Sequence, residues 1–465
     1  MPADTRHEPA DLIVVGGSVG GLAAAILVAD RRRRAVVLER GKELGGGAGG
    51  EPETIAAAGT RFQRAAGIDD SPECFAADIA AVSRHHVEPA LAAAVAAQSA
   101  PLIEWLADRG GLTIEVLARY AAAGHSVPRL HWLAEHGGAS LVAALVRAAT
   151  RHVRITVRTG AVVERLTRDE SGAVTGVALK PDRRGGGAAL AGNVLLACGG
   201  FGAADALVAE HCPNVAALPY LGWPGAVGEG LRLGAEAGGA TRHLAGCLVL
   251  PLLAMPGALA VTAPVVDLGA VLVNQSGRRF IDETGERLAV ASAIAGQPGR
   301  MAYLLFDERI ATAARAVDPY FANVVLPRAG RRAASVEALA KQFEFDAAGL
   351  ALTLETYNGN LELGGDPFGR DRFGGPLEPP LHAIRVTGAR WRTLGGLAVD
   401  ASARVLDGAG QPIRGLYATG GAAEGLGGDG TEGLLAGMDA LAALALARLA
   451  ALDVVAQADA AAEAE

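Results

Sequence analysis

The sequence predicts an α/β protein in which a parallel-sheet domain is split along the chain by an inserted α+β domain. Three observations carry this reading. An apolar strand, a glycine turn, an apolar helix and a second strand follow one another without a break over residues 11–50. A strand-then-glycine pattern returns near the C-terminus, at Gly395–Asp400 and Gly415–Gly421. Between about residues 240 and 372 the pattern changes to short strands alternating with turns and helices.

The first element, Leu12-Ile13-Val14-Val15, reads as a short buried strand and meets Gly16-Gly17-Ser18-Val19-Gly20-Gly21. The apolar, Ala-rich stretch Leu22–Asp30 is the helix, and Ala35–Leu38 is a second strand ending in Glu39. A tight glycine turn lets the backbone approach a pyrophosphate, and the helix N-terminus presents unpaired N–H groups to it. Glu39 stands where the ribose-binding acid belongs, about 20 residues past the glycines. Ser18 holds the middle-glycine position, which narrows the space for phosphates. The order of the parts makes this a Rossmann-type dinucleotide unit.

The remaining elements follow the same logic. Ala90–Ala107 and Leu141–Arg151 read as helices. Val153–Val157, Gly160–Leu166 and Ala173–Leu179 alternate as strands, followed by a polar turn at Pro181–Gly187. Asn193–Ala197 reads as a fully buried strand closing on Cys198-Gly199-Gly200-Phe201-Gly202, the kind of strand end at which parallel sheets hold ligands. Ala270–Val273 and Tyr303–Phe306 are strands of the insertion. A last helix, from about Gly433 to Ala451, returns to the first domain, and the Ala/Glu/Asp-rich end is expected to fray. The division is therefore 1–240 and 373–454 for the split domain, 241–372 for the insertion and 455–465 for a flexible tail.

A chain of 465 residues needs more than one core. Its net charge of −8 and pI near 5.8 argue against nucleic acid as a partner. The run Arg31–Arg34 reads as a solvated turn, with an anionic docking patch as the alternative. Cys74, Cys198, Cys212 and Cys247 are widely spaced, which fits a reducing cytoplasm and gives neither a disulfide frame nor a metal site. Residues 1–10 hold no apolar signal core. Leu244–Val273 carries a single charge, Asp267, but Pro251, Pro256 and Pro264 interrupt it, so buried strands and loops are expected there and no membrane span.

Together these segments resemble the flavoprotein subunits of fumarate reductases and succinate dehydrogenases, a superfamily that also contains 3-ketosteroid dehydrogenases and urocanate reductases. The resemblance runs in order from Asp11 to about Arg448. It rests on the N-terminal fingerprint, Ala197–Gly202, Gly225–Gly230, Val273–Phe280, Leu394–Leu397 and Gly415–Gly420. It implies FAD held in an extended conformation by the two parts of the first domain, with the insertion as a mobile cap over the substrate. Gly16, Ser18 and Gly21 would meet the pyrophosphate, Glu39 the adenosine ribose and the Val162 backbone the adenine. Gly45 and Gly46 would line a second phosphate-proximal loop. Gly20, Arg40, Cys198, Gly199, Gly420, Gly421 and Leu435 complete the implied cofactor contacts. Gly421 departs from the family, which has a ribityl-binding Glu there, and no histidine flanks Gly45–Gly50 to bond the flavin. FAD is therefore expected to be non-covalent.

In the fumarate reductase branch, hydride passes from the flavin to one carbon of a C=C bond and a cap arginine protonates the other. Phe280–Arg287 keeps the spacing of that segment, which assigns the position to Arg287; a surface ion pair with Glu283 or Glu286 is the alternative. A guanidinium is a poor acid, and the family's relay positions fall near Ala263 and Val266, so electrostatic polarisation of a carbonyl is an open role for Arg287. The dicarboxylate anchors are mostly replaced: Leu250 and Arg392 stand for two histidines, and Thr431 for a clamping arginine. Arg392 keeps a planar fork for one oxygenated group, or serves as a strut beside Trp391. Tyr120 is a candidate site tyrosine or a core aromatic. The tyrosines of the ketosteroid branch align with Arg287 and about Thr431, so that activity is not supported. The expected protein is an FAD-dependent dehydrogenase or ene-reductase acting on a CH–CH or C=C bond beside a carbonyl. Its substrate would be apolar with one oxygenated end, such as a cyclic enone or enoate, and an unidentified donor or acceptor would supply or remove electrons. A flavin monooxygenase is a second reading, weakened because Gly420-Gly421-Ala422 lacks the Gly-Asp pair. A flavin-binding regulatory protein with decayed chemistry is a third.

Overall fold

The computed structural model describes residues 10–50, 54–134, 137–181, 188–371 and 373–464, so most of the turn expected at 181–187 lies outside the described residues. The chain divides into two compact units. One comprises residues 1–212, 222–247 and 392–465, and the other comprises 213–221 and 248–391.

The first unit is built on a six-stranded sheet. Leu12–Val15 pairs in parallel with Ala35–Glu39 on one side and Asn193–Leu196 on the other, with Leu12 opposite both Ala35 and Asn193. Ile155–Thr159 extends the sheet beyond the second strand, and Pro412–Ala418 extends it beyond the buried one. Arg404–Leu406 closes the edge antiparallel. Parallel strands covered on both faces must be apolar at every position, and all four residues of Leu12–Val15 are buried. The helix Val19–Ala29 is likewise buried along its whole length, without a polar stripe. Its Gly20 lies against the C-terminal helix, where a Cβ would sit 2.9 Å from the Ala443 carbonyl. Pro89–Asp108 is the one described helix long and apolar enough to cross a membrane, and 44% of the tested stretch is buried within the protein. The apolar run 244–273 forms the strands Cys247–Ala254, Leu259–Ala260 and Val271–Val273 with a short helix at Pro264–Asp267.

Two expectations are corrected here. The last helix runs from Met438 to Ala464, later in start and longer than expected. Gly437, at φ +75°, holds the preceding turn open. The supposed flexible tail is ordered helix because Val454 and Val455 are buried, and Gln457 Nε2 donates to the Tyr417 hydroxyl (3.0 Å). In the Gly395–Asp400 segment, Val399 bridges antiparallel to Val405 on the edge strand of the six-stranded sheet. Only Gly396–Leu397 is strand, paired antiparallel with Thr241–Arg242.

The second unit holds a six-stranded sheet of its own, in the order Leu259–Ala260, Cys247–Ala254, Leu381–Thr393, Ala302–Asp307, Val271–Val273, with Arg331–Ala333 also on the long strand. That long strand carries the unit to residue 391, where the sequence pattern suggested an end at 372. Leu304, Leu305, Phe306, Ile384 and Val386 are fully buried. A buried ionic cluster ties the loops together. Arg279 pairs with Glu283 (2.9 Å) and Asp366 (2.5 Å), and Arg370 reaches Glu283 from the other side (3.1 Å).

Candidate functional site

At the carboxyl ends of Leu12–Val15 and Asn193–Leu196 lies an open cleft. Its floor is the glycine turn. Gly16 has φ +106°, and a Cβ there would lie 2.5 Å from the Ala197 carbonyl, so both conformation and crowding require glycine. Ser18 caps the helix, its Oγ accepting from Gly21 N–H (3.4 Å), which explains a side chain at the middle position. Gly21 is small because Val14 and Ala197 press on it, and Gly20 because of the C-terminal helix. Both serve packing, whereas Gly16 and Ser18 line the cavity. Gly45 donates to the Gly17 carbonyl (2.7 Å) and Gly46 completes the wall.

Glu39 is buried, with one oxygen accepting from Gly17 N–H (2.9 Å) and the other from Gly41 N–H (2.6 Å). A carboxylate offers about four lone-pair sites, so two stay available for a diol in the cavity. Arg40 donates to the Gly225 carbonyl (2.6 Å) and pairs with Glu229 (3.5 Å). Cys198 lines the same cavity, and burial, reinforced by Glu229, pushes its thiol up to about 12, so it stays neutral. Ala161 and Val163 line the wall, while the Val162 side chain is partly exposed and its carbonyl accepts from Lys180 N–H (2.8 Å).

The glycine loop after Asn193–Leu196 is tied to the segment carrying Arg392. Thr393 Oγ1 accepts from Phe201 N–H (3.1 Å). Arg392 Nε lies 3.0 Å from Asp439, in the first turn of the C-terminal helix, so its charge already has a partner. Gly421 faces the same loop: a Cβ on it would sit 2.5 Å from Gly200 N, and a glutamate there would displace the loop. Gly420, at φ +58°, opens the short turn that follows. Leu435 is buried with its side chain against Gly124, and His125 Nε2 lies 3.0 Å from the Ala436 carbonyl next to it. Thr431 hydrogen-bonds its neighbour Glu432 (3.2 Å), and Tyr120 is half-buried in the loop after Ile114–Val116.

In the second unit, Leu250 lies half-buried on Cys247–Ala254, and Arg287 begins the helix Arg287–Ala295. Glu283, a suggested partner for Arg287, is instead buried with Arg279, Arg370 and the Leu272 N–H (2.9 Å).

The sequence profile of the FAD binding domain family matches residues 11–433. The chain belongs to this family. It is 31% identical over 420 residues to the fumarate reductase (cytochrome) of Shewanella frigidimarina, covering 90% of this chain and 72% of that protein. The 4-oxocyclohexanecarboxylate 2-dehydrogenase of Sinomonas cyclohexanicum is 29% identical over 338 residues, covering 61% of this chain and 55% of its own. Among solved structures, the open conformation of a flavocytochrome c3 fumarate reductase superposes with a TM-score of 0.82 at 26% identity, covering 97% of this chain and 79% of that one. The expected superfamily and α/β class are thus what the comparisons and the fold show.

The cavity fits FAD. A helix N-terminus, an open glycine turn and a buried acid with spare lone pairs meet the demands of pyrophosphate and ribose. Three features escaped the sequence. Trp223 lines the cavity from a turn with no periodic signal. Glu229 lies within the quoted Gly225–Gly230 motif, which was the available clue. Third, Glu424 is fully buried, accepting from Val399 N–H (2.9 Å) and pairing with Arg242 (3.3 Å) and His243 (3.5 Å); burial raises its carboxyl above the usual range.

Proposed function

We propose that this protein is an FAD-dependent oxidoreductase exchanging hydride with a CH–CH or C=C bond beside a carbonyl, on an apolar substrate with one oxygenated end. The observation that carries the reading is the complete dinucleotide cavity whose strand-end loop is hydrogen-bonded to the segment of Arg392. Bound FAD supplies the two-electron exchange, and an external donor or acceptor balances it. The protein contributes orientation and charge. Gly16 and the helix after it hold the pyrophosphate without a covalent bond, and Glu39 holds the ribose. Arg392 turns its planar guanidinium to the substrate oxygen. Arg287 polarises the carbonyl or stabilises charge as the second carbon takes a proton. Leu250 turns away charged groups, because a carboxylate beside it loses water without gaining a partner. The name of the Sinomonas relative, a dehydrogenase of a ring ketone acid, supports the substrate class. The four free cysteines fit a reducing, cytoplasmic setting.

Turnover with a reduced viologen dye tests the reading. A cyclic enone or apolar enoate should oxidise the dye in the presence of the holoprotein, and fumarate should do so weakly or not at all. Efficient fumarate reduction, or inertness towards every unsaturated carbonyl, would reject it.

A further inference from the structure

Trp223 sits in the turn Gly222-Trp223-Pro224-Gly225, where Ala226 N–H donates to the Trp223 carbonyl (3.1 Å). Arg40 pins the same turn from outside through the Gly225 carbonyl (2.6 Å). The indole is bordered by glycines from three stretches of chain. A Cβ on Gly47 would lie 2.8 Å from Trp223 Cβ, and one on Gly199 would lie 3.2 Å from Cζ3. On Gly225 it would run into Cζ2, Cη2 and Cε2. Gly199 has φ +81° and needs glycine for that reason alone. Gly47 and Gly225 carry no left-handed φ, and the nearest atoms to both belong to Trp223. At Gly225 the indole ring itself excludes a side chain, whereas at Gly47 the excluding atom is Trp223 Cβ.

A large aromatic ring is thus given a fitted berth on the wall of a cavity otherwise lined by aliphatic residues, two glycines and a few polar or charged groups. We propose that Trp223 is a cofactor-retaining residue whose indole shields the pyrophosphate-binding turn at Gly16–Ser18, with Gly225 kept side-chain-free to admit it. Excluding water strengthens hydrogen bonds from the backbone N–H groups to phosphate oxygens. The indole does this at little entropic cost, having only two side-chain torsions to fix. The inference concerns FAD retention and needs no particular substrate, so it stands or falls apart from the proposed reaction.

The test uses full-length apoprotein titrated with FAD and, separately, with ADP, which shares the pyrophosphate. Flavin fluorescence and intrinsic tryptophan emission report binding, and circular dichroism confirms folding. Trp223→Ala should weaken both ligands at least about tenfold, equivalent to ~1.4 kcal/mol. Trp223→Phe should stay within about threefold and lose part of the FAD-dependent quenching of tryptophan emission. Gly225→Ala should weaken FAD in the parent but add little in the Trp223→Ala background, since the ring atoms it collides with are gone. Should Trp223→Ala not fold, Trp223→Leu serves in the same cycle. The proposal is overturned if the truncated variant binds FAD as well as the parent or more tightly. It is equally overturned if ADP binding is unaffected, or if Gly225→Ala costs the same in both backgrounds.

Discussion

Neutralising Asp439 should change which substrates are accepted. Arg392 Nε and Asp439 Oδ2 are 3.0 Å apart, with side chains 32% and 29% exposed. A pair this accessible contributes on the order of 0.2–1 kcal/mol to stability, so Asp439→Asn should fold. Its effect on a bound anion is larger. A substrate carboxylate sharing the guanidinium with Asp439 would lie about 5 Å from it, a repulsion of about 3 kcal/mol at an effective dielectric near 20. Solvent at one-third exposure reduces that to roughly 1 kcal/mol, or about fivefold in affinity. A neutral ring carbonyl feels no such repulsion. Steady-state assays on paired substrates, an apolar enoate and the matching cyclic enone, should show KM for the enoate falling about fivefold in Asp439→Asn. The enone should change less than about twofold, and the enoate effect should shrink with added salt. Equal shifts for both substrates, or none for the enoate, would refute the placement of Arg392 at the oxygenated end.

Three further expectations can be checked directly. Arg287→Ala should lower turnover by about 10²–10⁴-fold with the flavin spectrum unchanged; near-normal activity would reassign Arg287 to a surface pair. Acid precipitation should release yellow flavin to the supernatant, and flavin retained in the pellet would contradict non-covalent binding. His131 is buried between the Thr60 hydroxyl (2.8 Å) and the Arg129 carbonyl (2.8 Å), and burial lowers its pKa from 6.5 to about 4. The unfolded chain takes up this proton as pH falls through about 6.5 and the folded one only near 4, so stability rises with pH across that window, by up to roughly 3 kcal/mol. Urea unfolding should show a shallower pH dependence for His131→Gln than for the parent between about pH 7 and 4, and equal slopes would contradict the burial argument.

The first dinucleotide unit was legible because its physics leaves few alternatives. A strand buried on both faces is apolar throughout, and a chain turning at Gly16 against the Ala197 carbonyl admits only glycine. Glu39 was legible by position, but its bonds to Gly17 and Gly41 were not, since they depend on how the turn folds back. Gly20 and Gly21 read as cofactor contacts in sequence, and folding adds the close packing that keeps both free of a side chain. The end of the insertion was missed because Leu381–Thr393 alternates like any strand, and its partner, Ala302–Asp307, is distant in sequence. The C-terminal end looked flexible by composition, yet Tyr417 and the buried valines order it. Trp223 carried no signal, because its surroundings come from three loops that only folding brings together.

The central claim is most directly tested by anaerobic photoreduction of the holoprotein followed by rapid mixing with a single unsaturated carbonyl. Full return of oxidised flavin absorbance, with one equivalent of saturated ketone or acid formed per flavin, is the predicted result for a cyclic enone. Flavin that stays reduced with every enone and enoate, or that reoxidises only with oxygen and hydroxylates the substrate, would contradict it.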